Sequence, residues 1–108
     1  MDLTLYDQLQ NPVLVVGKDM RIRYFNFVST TFFKLSPRKL SKVESILELV
    51  KTDDVDLGKL IKECIDEEQA KFTQEFSTLI GASKLSSTVI LKFIPLDSEN
   101  AAVHIMDF

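Results

Sequence analysis

Residues 13–16, Val-Leu-Val-Val, are apolar at both alternating sets of positions, Val13 and Val15 on one side and Leu14 and Val16 on the other. Successive side chains of a strand point to opposite faces, so a strand of this composition has to be covered on both. That requirement excludes a single solvated hairpin and calls for layers on either side of a sheet. Asn11-Pro12 precedes the run and Gly17-Lys18-Asp19-Met20 follows it. The second group is turn chemistry: Gly17 is free to adopt positive φ, and Asp19 can bond its own backbone. Residues 21–26, RIRYFN, read as the return strand, with Ile22 and Tyr24 on one face and Arg21, Arg23 and Phe25 on the other. Asn26 then stops the strand and starts a helix, because its side-chain oxygen can accept from an otherwise orphaned amide.

Before the hairpin, Leu3, Leu5, Tyr6 and Leu9 share one side of a short helix over about 2–10, with Asp2 placed to cap it. After it, FVSTTFFKL carries Val28, Thr31, Phe32 and Leu35 at helical spacing. Ser36 and Pro37 open a further helical stretch as cap and first residue, with Leu40, Val43, Ile46, Leu47 and Val50 inward and a break within Ser41 to Ser45. Leu57, Leu60, Ile61, Cys64 and Ile65 form one face of the clearest helix in the chain, for which Asp54 and Asp56 are candidate caps. From Lys71 the period changes to two: KFTQEFSTLI, SSTVILKFIPL and NAAVHIMDF alternate like strands, separated by the turn groups GASK and DSEN. The expected architecture is α+β: a five-stranded antiparallel sheet with short helices packed on one face and an N-terminal helix.

The 108 residues suffice for one core, here about 12–108, and not for two. A net charge of −3, with Lys and Arg scattered rather than gathered in one stripe, argues against a nucleic-acid partner. No apolar run reaches the roughly 18 to 20 residues of a membrane-spanning helix, and the N-terminus lacks the order of a signal peptide, so the expected setting is cytoplasmic without membrane insertion. One cysteine and one histidine make neither an internal disulfide nor a structural zinc site. Hydrolytic catalysis needs a paired constellation, and neither that nor a Gly-rich phosphate loop is present.

The order of elements, with RIRYFN after the first turn, KLSPRKL at the next helix and HIMDF at the end, resembles a PAS domain, a sensory module of signalling proteins such as sensor histidine kinases. The resemblance covers essentially the whole chain and implies a single sensory domain, non-enzymatic in itself, cut from a larger protein. The output it implies is a histidine kinase, a diguanylate cyclase or a transcriptional regulator. It also implies a hollow between sheet and helices that accommodates haem, a flavin or a metabolite in some relatives. Flavin photochemistry in the family uses a cysteine in an N-C-R-F-L-Q context, whereas Cys64 stands in KECIDEE; haem uses a histidine on a helix, whereas His104 is on the last strand. Both cofactors are therefore disfavoured, and the cofactor, if there is one, is not named by the sequence.

A small ligand would be lined by Tyr24, Phe76, Leu91 and Phe93 from the sheet and by Phe32, Leu47 and Ile61 from the helices. The alternative is that the phenylalanines, Phe25, Phe33 and Phe72 among them, fill the hollow and leave a ligand-free interaction module. By resemblance, Asp107 carries the signal from the last strand to an output element; its plain reading is a solvated strand-end carboxylate. The sheet looks apolar on both faces, since Val89, Leu91 and Phe93 alternate with Ile90 and Ile94. The face away from the helices then needs the first helix, a partner subunit or both, and a homodimer is expected.

Overall fold

A computed structural model describes residues 3–81 and 86–107. Strands β1 (Val13–Gly17) and β2 (Ile22–Phe25) form the hairpin; α1 (Phe27–Phe33) and α2 (Pro37–Leu40) follow, then a 3-10 turn Ile46–Glu48 and strand β3 (Val50–Lys51). Helix α3 (Leu57–Glu67) leads into β4 (Lys71–Phe72), β5 (Phe76–Ile80), β6 (Ser86–Pro95) and β7 (Asn100–Asp107). All pairings are antiparallel, in the order β2-β1-β7-β6-β5-β3, with β4 also on β6. Five principal strands therefore stand as expected, and the two-residue β3 and β4 extend the sheet to seven. The doubly apolar β1 lies inside it, between β2 and β7, and all five of its residues are buried.

The hairpin departs from simple alternation. Val15 pairs with Tyr24 and Val16 with Ile22, so Arg23 is an extra residue opposite no partner, a β-bulge. It sets Ile22 and Phe25 on the core side, opposite Val16 and Leu14, and sends Tyr24 to the other face with Val15. Ile22 and Tyr24 thus do not share a face. In the turn, the left-handed residue is Met20 (φ 68°) and not Gly17. Met20 places its side chain in the core, which offsets a backbone cost of roughly 1–2 kcal/mol. Asp19 does bond its own backbone: its Oδ1 accepts from Arg21 N–H at 3.0 Å.

Three short helices and the 3-10 turn cover one face. Ser36 caps α2 by accepting from Lys39 N–H, and Asp56 caps α3 in the same way from Lys59 N–H. Asp54 does not cap; its N–H donates to Thr52 Oγ1. Ser45 and Glu48 make a reciprocal capping box around the 3-10 turn. The break expected between Ser41 and Ser45 is present, but it resets the helical phase: Ile46, Leu49 and Val50 are buried, whereas Leu47 is 49% exposed. In α1 the buried side is Ser29, Thr30 and Phe33, so Thr31 faces solvent and Phe32 is half-buried. The expected long strand from Lys71 to Ile80 is interrupted at Thr73–Glu75, and Phe72 is 60% exposed. The first helix is a 3-10 segment, Thr4–Gln8, with Leu5 and Leu9 exposed; the Asp2 cap and the Ala82–Lys84 part of the GASK turn lie outside the described residues.

Candidate functional site

The space between sheet and helices is where a bound molecule would sit, and its geometry follows from the alternation of β6 and β7. Val89, Leu91 and Phe93 on β6, with Ala101, Val103 and Ile105 on β7, point to the helices and are fully buried. Facing them are Phe33 from α1, Leu40 from α2, Ile46 from the 3-10 turn, and Ile61, Cys64 and Ile65 from α3, all within one cluster. Burial pushes the Cys64 thiol up, which keeps it protonated and unreactive.

The seven residues expected to line a pocket do not come together around a common space. Ile61, Leu91 and Phe93 are 0% exposed and belong to the packed cluster. Phe76 is also buried, at its margin, and Phe32 packs half-buried with its ring edge-on to Phe33 at 5.2 Å. Leu47 points outward because of the phase change after Ser45, and Tyr24 sits on the opposite face of the sheet because of the bulge at Arg23. Depressions among the described residues include one of about 350 Å³ beside Val55, Leu60, Thr73 and Phe76 and one of about 290 Å³ beside Ile22, Tyr24, Phe25, Leu40 and Val43. Neither is lined by Ile61, Leu91 or Phe93.

Asn26 has a larger part than sequence reading assigned to it. It occupies the N-cap position of α1, but its side chain makes no bond to the first-turn amides. Fully buried, its Oδ1 accepts from Val13 N–H at 3.0 Å and from Ser29 Oγ at 2.7 Å, while Nδ2 donates to the carbonyls of Tyr6 and Asn11 at 2.9 Å each. The cap is supplied instead by Asp7, whose Oδ1 accepts from Phe27 N–H at 3.3 Å. One amide side chain therefore joins the N-terminal segment, β1 and α1.

That joint holds the N-terminal 3-10 segment against the outer face. Tyr6 lies 6.3 Å from the Tyr24 ring and 5.8 Å, edge-on, from His104. Val13, Val15 and Ala102 on this face are buried although they are not part of the helix-side cluster, and Ile90, Ile94 and Met106 beyond them are half-buried. Tyr24 Oη and His104 Nε2 are buried and have no hydrogen-bond partner among the described residues. Burial first, and the neighbouring Asp7 carboxylate second, push the Tyr24 phenol up to about 12. Burial and the Lys92 ammonium on the adjacent strand hold the His104 imidazolium below its usual range. Asp107 is the last described residue of β7 and pairs through its backbone with Val89. No group of three or more potential metal ligands is found among the described residues, and none of their helices is long and apolar enough to cross a membrane.

No protein-family model matches the sequence. No characterised protein matches it by sequence either. The fold does have counterparts among solved structures. The PAS domain of nitrogen regulation protein NR(II) from Vibrio parahaemolyticus superposes with a TM-score of 0.72 at 18% identity, over 100% of both chains. A PAS domain from a two-component sensor histidine kinase gives 0.67 at 16% identity over 97% of this chain and 91% of that one. The PAS domain of Bordetella pertussis BvgS gives 0.63 at 14% identity over 97% and 80%.

Proposed function

We propose that this chain, which has the PAS fold, is a sensory or regulatory domain of a signal-transduction protein, non-catalytic in itself, that works through protein contacts rather than through a molecule held in its hollow. The observation that carries this reading is the complete burial of Phe33, Ile61, Leu91 and Phe93 in one side-chain cluster where a ligand would otherwise lie. Cores packed to native density leave no room for a metabolite without displacement of such groups. One structural counterpart is a PAS domain from a two-component sensor histidine kinase, which supports the signalling context.

In this reading the outer face is the working surface. Half-buried Ile90, Ile94 and Met106 extend the apolar strip that Tyr6 partly covers, and a second copy of the chain would complete the cover. Strand β7 lies between β1 and β6 and ends at Asp107, so a shift of the N-terminal segment on this face would reach Asp107 and an output element beyond it through β7. Methyl-resolved NMR under xenon pressure tests the filled core, since apolar cavities take up xenon. Methyl shifts of Ile61 and Leu91 that do not saturate are expected; saturable shifts at both residues would establish an open hollow and return the function to small-molecule sensing.

A further inference from the structure

Among the described residues, the buried side-chain polar atoms without a partner belong to one corner of the outer face, Tyr24 and His104. On β7, His104 pairs with Val13 of β1 on one side and with Lys92 of β6 on the other. Residues directly opposite in an antiparallel pair share a face, so Lys92 stands beside the imidazole. Along β7 the neighbours on this face are Ala102 and Met106, which carry no charge. From the N-terminal segment comes Tyr6, edge-on to the imidazole at 5.8 Å, with the Tyr24 ring 6.3 Å from its own. Asp7 is the carboxylate of this corner; it accepts from Phe27 N–H and neighbours the Tyr24 phenol. The charge acting on the imidazole is the Lys92 ammonium.

Protonation changes what this corner can satisfy. A neutral imidazole has one N–H, so its other nitrogen can lie bare at the buried Nε2. The imidazolium has an N–H at both nitrogens, and Nε2 then becomes a charged donor shut away from water, beside an ammonium and without an acceptor among the described residues. Water is the acceptor within reach once Tyr6 moves aside. The segment that carries Tyr6 is thinly attached. Thr4–Gln8 has no side-chain cap at its start, and Leu5 and Leu9 are exposed. Its described side-chain bonds to the rest of the fold are those of Asn26 Nδ2 to the Tyr6 carbonyl and of Asp7 to Phe27 N–H. Its far end is fixed: Pro12 is buried, and its carbonyl accepts from Ile105 N–H at 3.0 Å. Segments with few buried contacts open locally while the core stays closed.

We propose that the N-terminal segment is a proton-released latch: protonation of His104 expels Tyr6 from the outer face and frees residues 3–11 to swing about Pro12. Release would add the buried Val13, Val15 and Ala102 to the half-buried Ile90, Ile94 and Met106 as one apolar strip. The consequence for signalling rests on the reading of the outer face as the working surface; the release itself does not. In the latched form burial first, and Lys92 second, hold the imidazolium below its ordinary value of 6.5. Once hydrated it regains that value, so the ratio of released to latched chains grows as pH falls below it. The growth is up to about tenfold per pH unit and stops when the latched form also protonates.

Tyr6 and Tyr24 are the two tyrosines of the chain, so tyrosine-selective NMR reads this corner alone. With the intact 108-residue chain, ring cross-peaks between them are expected at about pH 7.5 and should fade toward about pH 5 in step with titration of the His104 imidazole. Methyl shifts of Ile61 and Leu91 should stay fixed over the same range, since the core remains closed. His104→Gln, which takes no proton, should keep the cross-peaks at the lower pH. Lys92→Met removes the neighbouring ammonium and should retain more of the cross-peak there than the native chain does. In the native chain, cross-peaks that persist or strengthen once His104 is charged would overturn the proposal. So would an imidazole that stays neutral to the lower pH, or core methyl shifts that collapse together with the cross-peaks. Fading that survives in His104→Gln would overturn it as well, by assigning the release to another group such as Asp7. None of these readouts depends on whether the hollow is filled or on whether the chain pairs with a second copy.

Discussion

Replacement of Asn26 by Asp probes the joint between the N-terminal segment, β1 and α1 with almost no change of shape. The carboxylate keeps the acceptors that Val13 N–H and Ser29 Oγ use, but it removes the donor that satisfies the carbonyls of Tyr6 and Asn11. Two hydrogen bonds at about 0.5–1.5 kcal/mol each account for roughly 1–3 kcal/mol. A fully buried carboxylate set against those two carbonyls adds several more, so a loss of about 3–5 kcal/mol at neutral pH is expected. Against a total of roughly 5–15 kcal/mol for a domain of this size, that removes a large fraction. The sign of the pH dependence is distinctive. Burial and the facing carbonyls favour the neutral acid, which raises the folded-state pKa, so the deficit relative to the native chain should shrink as pH falls through that value. Asn26→Ala loses those same two bonds, roughly 1–3 kcal/mol, and also leaves Val13 N–H without its partner, at about 1–3 kcal/mol more, and its deficit should not vary with pH. Urea unfolding of the three proteins at neutral and mildly acid pH measures all of this. Asn26→Asp as stable as the native chain at neutral pH, or a deficit growing on acidification, would refute the reasoning.

The core and the outer face make further predictions. Phe33→Ala should cost about 3–5 kcal/mol in chemical denaturation, and the half-buried Phe32→Ala about half as much; equal losses would contradict the observed phase of α1. Gly81→Ala should destabilise by more than about 2 kcal/mol, because φ is +52° and the new Cβ meets the Phe33 backbone; a neutral effect would mean that the contact yields. His104 is held below its ordinary pKa of 6.5, so its neutral form belongs to the folded state. Its contribution is present above the unfolded value and lost as pH falls through the folded one, and His104→Gln should flatten that part of the stability profile followed by thermal melting.

The doubly apolar Val13–Val16 run announced an interior strand, and the capping residues Ser36 and Asp56 announced their helices, because each signal is local and chemically specific. The register of β2 was not legible, since an alternating pattern does not reveal a bulge, and the extra residue at Arg23 moved Tyr24 to the other face. Leu47 was misplaced because a helical period was carried through Ser45, where a 3-10 turn resets it. The inward side of α1 is not legible from apolar spacing, because it is set by Ser29, whose hydroxyl is held by Asn26 and Val13, and this turns Phe33 rather than Phe32 into the core.

On the proposed reading, side chains and no ligand occupy the hollow. Native mass spectrometry of the freshly purified protein tests it most directly. A homodimer at twice the 12.3 kDa of the bare chain, with nothing added, is expected. A reproducible extra mass per chain that survives gentle activation and disappears on unfolding would contradict it.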